Sequence, residues 1–206
     1  MQELIGPFLE NPSAVASLVS ALIAASVALL VVMVNQVFAR RQQRVQFLQP
    51  KLEELYLLLN EVAERNTRLF KLLAAVVEGD LEAKKHLDSL DDLEVYGHPI
   101  AKKMVMLVRL YFPKLSSIHQ HLFAAERDLS QRVWSLSMGE QVGIDEVMSA
   151  SGRVGHMLRL MEQEMVSNQK ALLRAAIFPK RYRPVSENDL MNVPAPPEGP
   201  PLSPRK

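Results

Sequence analysis

Apolar positions along the chain form one unbroken run followed by three periodic stripes. The run is Ala14–Val34, AVASLVSALIAASVALLVVMV, which carries no charge, no Pro and no Gly. A bilayer core about 30 Å thick needs about 20 apolar residues as a helix, so the run is long enough to span. It is apolar on every side, which suits a membrane span or the centre of a large protein. The remainder of the chain is amphipathic and too small to enclose such a helix. Pro12-Ser13 is a fitting helix start, and a transmembrane helix is expected over residues 13–38. A cleaved signal fits less well. No Lys or Arg precedes the run, and a signal core has only about 7–15 residues, although Val37-Phe38-Ala39 satisfies small-residue cleavage rules.

The first stripe is Leu48, Leu52, Leu55, Leu59, Val62, Asn66, Leu69, Leu73 and Val76. Its alternating steps of four and three make a heptad seam, which suits a coiled-coil contact with a partner helix in cis or in trans. Asn66 is its one polar member and a candidate register residue; the alternative is an Asn at the rim, satisfied by a neighbour or water. Gly79 ends the helix. The second stripe, Ile100, Met104, Leu107, Tyr111, Leu115, Ile118, Leu122, Ala125 and Leu129, slips in step around Pro113, which should bend or split the helix. The third, from Val147 through Ala150, Val154, Met157, Met161, Met165, Asn168 and Leu172 to Ala175, predicts a helix over Asp145–Phe178, with Asp145 charging its first turn. Gly152 and Gly155 weaken its first half and would permit close helix approach or local opening.

These patterns give an all-α fold: one N-terminal transmembrane helix, then an antiparallel three-helix bundle with short helices, then a disordered Pro-rich tail. The expected boundaries are 1–12 for a short external segment, 13–38 for the span and 39–49 for a basic juxtamembrane extension stopping near Gln49. The bundle takes 50–183 and the tail 184–206. Pro50 reads as a kink or a new helix start. In the bundle the first helix leaves the membrane, the second returns and the third leaves again, so Lys180–Arg183 should lie at the membrane-distal end.

Charge sets the orientation. Glu3 and Glu10 flank the span on one side, and Arg40, Arg41 and Arg44 on the other. Basic flanks stay in the cytoplasm, so the N-terminus is expected outside and the C-terminus inside. Small residues Ser17, Ala21 and Ala25 lie four apart, as do Ser20, Ala24 and Ala28. At helical pitch the two rows make one flat face. Such faces let helices approach in lipid, so a homo-oligomer through the span is expected.

Composition narrows the chemistry. Lys and Arg number 24 against 23 acids, a net charge of +1, which gives no electrostatic case for nucleic acid. There is no cysteine, so disulfides, thiol nucleophiles and thiolate metal sites are excluded. His119 and His121 are two apart and point to different helix faces; no HExxH, phosphate loop or nucleophile elbow occurs. Glu61/Glu64 and Glu162/Glu164 read as solvated faces, and so does the cluster Asp88, Asp91, Asp92 and Glu94. No catalytic, cofactor-binding or metal residue is expected, and no cofactor. Lys180, Arg181 and Arg183, with Tyr182, read as dipole-complementing charge or as an anionic-lipid or acidic-partner contact. Pro197/Pro200 and Pro201/Pro204 have PxxP spacing, a weak docking signal.

KLEELYLLL at Lys51–Leu59 and MLVRLYFPKL at Met106–Leu115, following a single span, resemble segments of a loose group of bacterial and phage-associated single-pass membrane proteins. The resemblance implies a prokaryotic origin and a helical cytoplasmic part, and carries no functional residues with it. The expected function is a non-enzymatic protein of the bacterial inner membrane, acting as scaffold, sensor or regulator, with an unknown protein partner for the bundle or tail. The alternative is a membrane-active effector of toxin or anti-phage type, whose span oligomerises to disrupt the bilayer.

Overall fold

The computed structural model describes residues 12–90, 98–173 and 181–192, and every regular element among them is helical. The expectations for the external segment, for Asp91, Asp92 and Glu94, for Ala175–Lys180 and for the PxxP spacings fall outside the described residues. The first helix, α1, runs Pro12–Val77 over 66 residues. Its first part belongs to one compact unit, Met1–Gln46, and the rest to a second, Phe47–Lys206.

In the first unit, α1 is long and apolar enough to cross a membrane, with mean hydropathy 2.6 in its most apolar window and none of that window buried. Leu29 and Leu30 are 64% and 63% exposed. Ser26 returns its hydroxyl to the Leu22 carbonyl at 2.8 Å, so this polar group leaves the helix surface apolar.

The expected stop near Gln49 does not occur, and Pro50 lies inside α1. A helix-interior proline costs about 3 kcal/mol through its missing N–H and its clash with the preceding turn. Here neighbours on both sides hold the helix together. Leu52 is buried and Leu48 packs against the core, while Gln49–Glu53 and Lys51–Glu54 bridge the site at 3.0 Å each.

The second unit continues with α2, Leu81–Ser89, started by Asp80, whose carboxylate accepts from the Glu82 and Ala83 amides. Gly79, at φ +90°, makes the left-handed turn between α1 and α2. Next come α3, His98–Tyr111, a single 3-10 turn at Pro113–Leu115, and α4, Ser116–Ser137. Then follow α5, Ile144–Ser167, the short α6, Gln169–Leu172, and α7, Glu187–Met191. The second predicted stretch is therefore two helices. Phe112 leaves helical geometry at φ −129°, ψ 54°, and its ring is 1% exposed, so the break before Pro113 is pinned into the core.

That break adds a pass and reverses the third helix. Lys103–Glu54 at 2.8 Å and the edge-on rings of Phe47 and Tyr111 run α3 against α1. Arg132–Glu146 and Arg153–Asp128 run α5 against α4. Tyr56–Glu162 and Asn66–Ser151 run α5 against α1 as well. The expected three-pass path, with the third helix parallel to the first, is thus corrected. Tyr182 lies beside Lys114, so the basic segment sits at the Phe47 and Tyr111 end of this unit, not at its far end.

The core joins Leu55, Leu59, Val62 and Leu73 of α1 to Met104, Leu107, Leu115, Ile118, Leu122, Val147, Val154 and Met161. The heptad seam is therefore filled within the chain. Asn66 and the Ser151 hydroxyl bond at 3.2 Å, and the Asn66 amide donates to the Ser151 carbonyl at 3.3 Å. Asn66 thus bonds α1 to α5 of the same molecule.

Candidate functional site

The small-residue positions Ser17, Ser20, Ala21, Ala24, Ala25 and Ala28 are all exposed along the first unit's helix. Arg40 and Arg44 are exposed beyond them, and Arg41 is partly covered. These residues share one helix with helical pitch between them, so an apolar stretch and a basic flank follow in immediate succession on a continuous rod.

In the second unit, the polar groups taken out of water gather on a face of α5 that the sequence pattern does not announce. Glu164 is 3% exposed and Asn168 5%, although Glu164 reads as a solvated carboxylate in sequence. A carboxylate is costly to bury unless its oxygens are bonded. Both are: Oε1 accepts the Tyr182 phenol and Oε2 accepts the Val185 amide at 3.0 Å. Asn168, one turn on, accepts the Arg183 amide at 2.8 Å and donates to the Arg183 carbonyl at 2.7 Å. One turn back from Leu160, His156 Nε2 bonds the Asp189 carbonyl at 2.9 Å.

The three side chains at steps of eight and four thus hold a single strap, residues 181–192, along α5. Ser186 caps α7 by accepting from the Asn188 amide at 3.3 Å, and Tyr182, Val185 and Leu190 pack on the core. Lys114 Nζ lies 5.2 Å above the Tyr182 ring, a cation–π contact. Burial, followed by the neighbouring Glu164 carboxylate, pushes the Tyr182 phenol far above its ordinary range. The expected tail therefore loses its first part: residues 184–192 are strapped down, and only 193–206 lie outside the described residues.

An internal ion pair joins Arg65 of α1 to Glu126 of α4, with side chains 13% and 15% exposed. Burial raises the Glu126 carboxyl above the usual range, against the pull of Arg65. Glu164 spends both oxygens on the strap, and Glu126 faces a guanidinium. No group of three or more metal-ligating side chains comes together among the described residues.

Sequence reading missed the burial of Glu164 and His156; it placed Asn168 on the third stripe and singled out Tyr182, but gave neither its partner. The available signal was Glu164 one turn before Asn168, and a Ser186 cap with two acids in the turn after it. Compared with known proteins, the chain matches no family model, no curated protein and no solved structure.

Proposed function

We propose that this is a non-enzymatic, single-pass protein of the bacterial inner membrane, whose helical unit acts as a cytoplasmic scaffold, sensor or regulator. The observation that carries the reading is the exposed, uncharged run Ala16–Val34 on the same helix that supplies buried Leu55, Leu59 and Leu73 to a packed core. Exposed apolar surface of that extent is unfavourable in water at roughly 25 cal/mol per Å² and is relieved by lipid. Arg40, Arg41 and Arg44 orient the span with its C-terminal side in the cytoplasm. The helical unit's helices form a cytoplasmic bundle, and its carboxylates serve structure, which favours a binding role over catalysis. The span pairs with a second copy through Ser17, Ala21 and Ala25 with Ser20, Ala24 and Ala28, making a homo-oligomer.

The test is topology with physiology. A phosphatase active only in the periplasm, fused after Lys206, should be inactive, and a fluorescent protein there should shine. Induction of the unfused chain should leave the membrane potential intact. An active periplasmic fusion overturns the orientation, and prompt depolarisation overturns the regulatory role. Replacing Ala21 and Ala24 with Leu should reduce crosslinked dimer; undiminished dimer removes that face from the interface.

A further inference from the structure

The geometry points to a binding groove for a phosphate ester between α3, α4 and α5, with Arg109 and Arg127 taking the phosphate and Phe123 and Trp134 the organic part. A 620 Å³ cavity is lined by Arg109 of α3, Arg153 of α5, and Ser116, His119, Phe123, Arg127 and Asp128 of α4. Ser116, His119, Phe123 and Arg127 recur at steps of three and four, so one stripe of the helix faces the cavity. A neighbouring 370 Å³ hollow shares Phe123, Arg127 and Gln131 with it and extends it to Trp134. Ligand sites commonly occupy about 300–1,000 Å³.

The charge balance of this groove is uneven. Arg127 stands between two acids, and both are engaged elsewhere. Glu126 is taken by Arg65, and Asp128 by Arg153 at 3.1 Å and Arg132 at 3.9 Å. Among the described residues Arg109 and Arg127 have no carboxylate partner. A planar guanidinium is suited to bidentate contact with a phosphate, and two of them, from α3 and α4, line this one cavity. Ser116, Gln120 and Gln131 add neutral hydrogen-bond donors. Phe123 lines the cavity between Gln120 and Arg127, and Trp134 lies beyond Arg127 in the adjoining hollow; the two rings are 49% and 51% exposed. Ligand chemistry follows: an anion for the guanidiniums and an apolar or aromatic body for the exposed rings.

His119 is the built-in reporter. It lines the cavity among Arg109 of α3, Arg127 and Asp128 of α4 and Arg153 of α5. Burial, then Arg109, holds its imidazole below the ordinary value. A bound phosphate supplies the opposite charge and should move its titration upward.

The experiment follows the His119 ring resonances of the full chain in phosphatidylcholine nanodiscs. One arm adds inorganic phosphate or adenosine monophosphate; the other replaces part of the lipid with phosphatidic acid. Saturable upward movement with the soluble probes assigns a free phosphate ester, and movement with phosphatidic acid alone assigns a lipid headgroup. Either supports the groove if Arg109→Gln and Arg127→Gln each weaken binding by about tenfold or more, while Lys170→Gln leaves it unchanged. Both arginines are exposed, so circular dichroism should show an intact fold. Phe123→Ala with Trp134→Ala should weaken adenosine monophosphate and spare inorganic phosphate. No movement of His119 with any probe, or equal loss in Lys170→Gln, overturns the proposal.

Discussion

Tyr182 donates its phenol to the buried carboxylate of Glu164, eighteen positions earlier, and so closes the strap over α5. Glu164 in turn accepts the Val185 amide, so one carboxylate organises a side chain and a backbone from the same segment. Removing the acceptor leaves the Val185 amide unsatisfied, while the phenol retains the Lys114 carbonyl at 3.1 Å. Glu164→Leu should therefore destabilise the helical unit by about 1–3 kcal/mol, the cost of one buried unsatisfied group. Tyr182→Phe, which keeps the ring on the core, should cost about 1–2 kcal/mol. Urea unfolding followed by Trp134 fluorescence measures both. Limited proteolysis should cut within 181–192 sooner in both variants than in the parent. Equal cutting would mean that other contacts hold the strap.

The same contact makes the strap sensitive to alkali. The folded phenol is raised above its ordinary value near 10, by burial first and Glu164 second. A raised folded value means that the native state holds its proton where the unfolded chain has lost it. The stabilisation is complete below about pH 10 and is lost as pH rises through the folded value. Stability measured at pH 9 and pH 11 should fall more in the parent than in Tyr182→Phe, which has no proton to lose there. Parallel curves would show that Tyr182 is not the titrating group.

Asn66 and Ser151 test whether the heptad seam is closed within one molecule. Their reciprocal bonds lie between α1 and α5 of the same chain. Asn66→Ala and Ser151→Ala should each cost about 1 kcal/mol, with a double-mutant coupling of about 0.5–1 kcal/mol. The crosslinking pattern of the full chain should not change. A shift in oligomer number with Asn66→Ala would mean that the seam also serves a partner in trans.

Gly152 bears on the opposite expectation, that glycines thin α5 for close approach. A β-carbon built at Gly152 meets nothing within 4 Å, and the residue is exposed. Helix propensity alone then decides, and Gly152→Ala should stabilise by about 1 kcal/mol. A loss of stability on thermal melting would reveal a need for flexibility at this turn.

Much of this architecture was legible because periodicity reports burial directly. The apolar run, the seam from Leu52 to Leu73 and the stripe from Val147 to Leu172 coincide with exposed and buried positions in the structure. What was not legible depends on long-range partners. Pro113 announced a break, but only the burial of Phe112 shows that the chain turns there and gains a pass. Glu164 lies off the apolar stripe and looks solvated until a strap from residues 181–192 covers it. That strap was hidden by composition, because the seven prolines of 184–206 average away the short signal of Ser186 and Leu190. No pattern in one stripe shows that Arg127 lies between two acids already taken by other helices.

The ion pair of Arg65 and Glu126 offers the clearest contrast between breaking a buried charge pair and replacing it. Both side chains are mostly covered, and Arg65 keeps one guanidinium nitrogen buried without a partner. The pair is therefore incompletely compensated, and its desolvation cost offsets much of its attraction. Arg65→Met strands the carboxylate in the same covered site and should cost about 3 kcal/mol at pH 7. Its loss also removes the only influence that lowers the Glu126 carboxyl against burial, so that group should rise further. A raised folded carboxyl favours the native state most below the unfolded value of 4.5, and this contribution is lost as pH rises through the folded value. The deficit of Arg65→Met should accordingly shrink as pH falls from 7 towards 4.5. Replacing both partners, Arg65→Met with Glu126→Leu, should recover most of the stability at pH 7, because no charge is then left buried. Denaturant midpoints for the four combinations at both pH values give the full cycle. A double variant as weak as Arg65→Met alone, at both pH values, would show that the cost lies in packing and not in the stranded carboxylate.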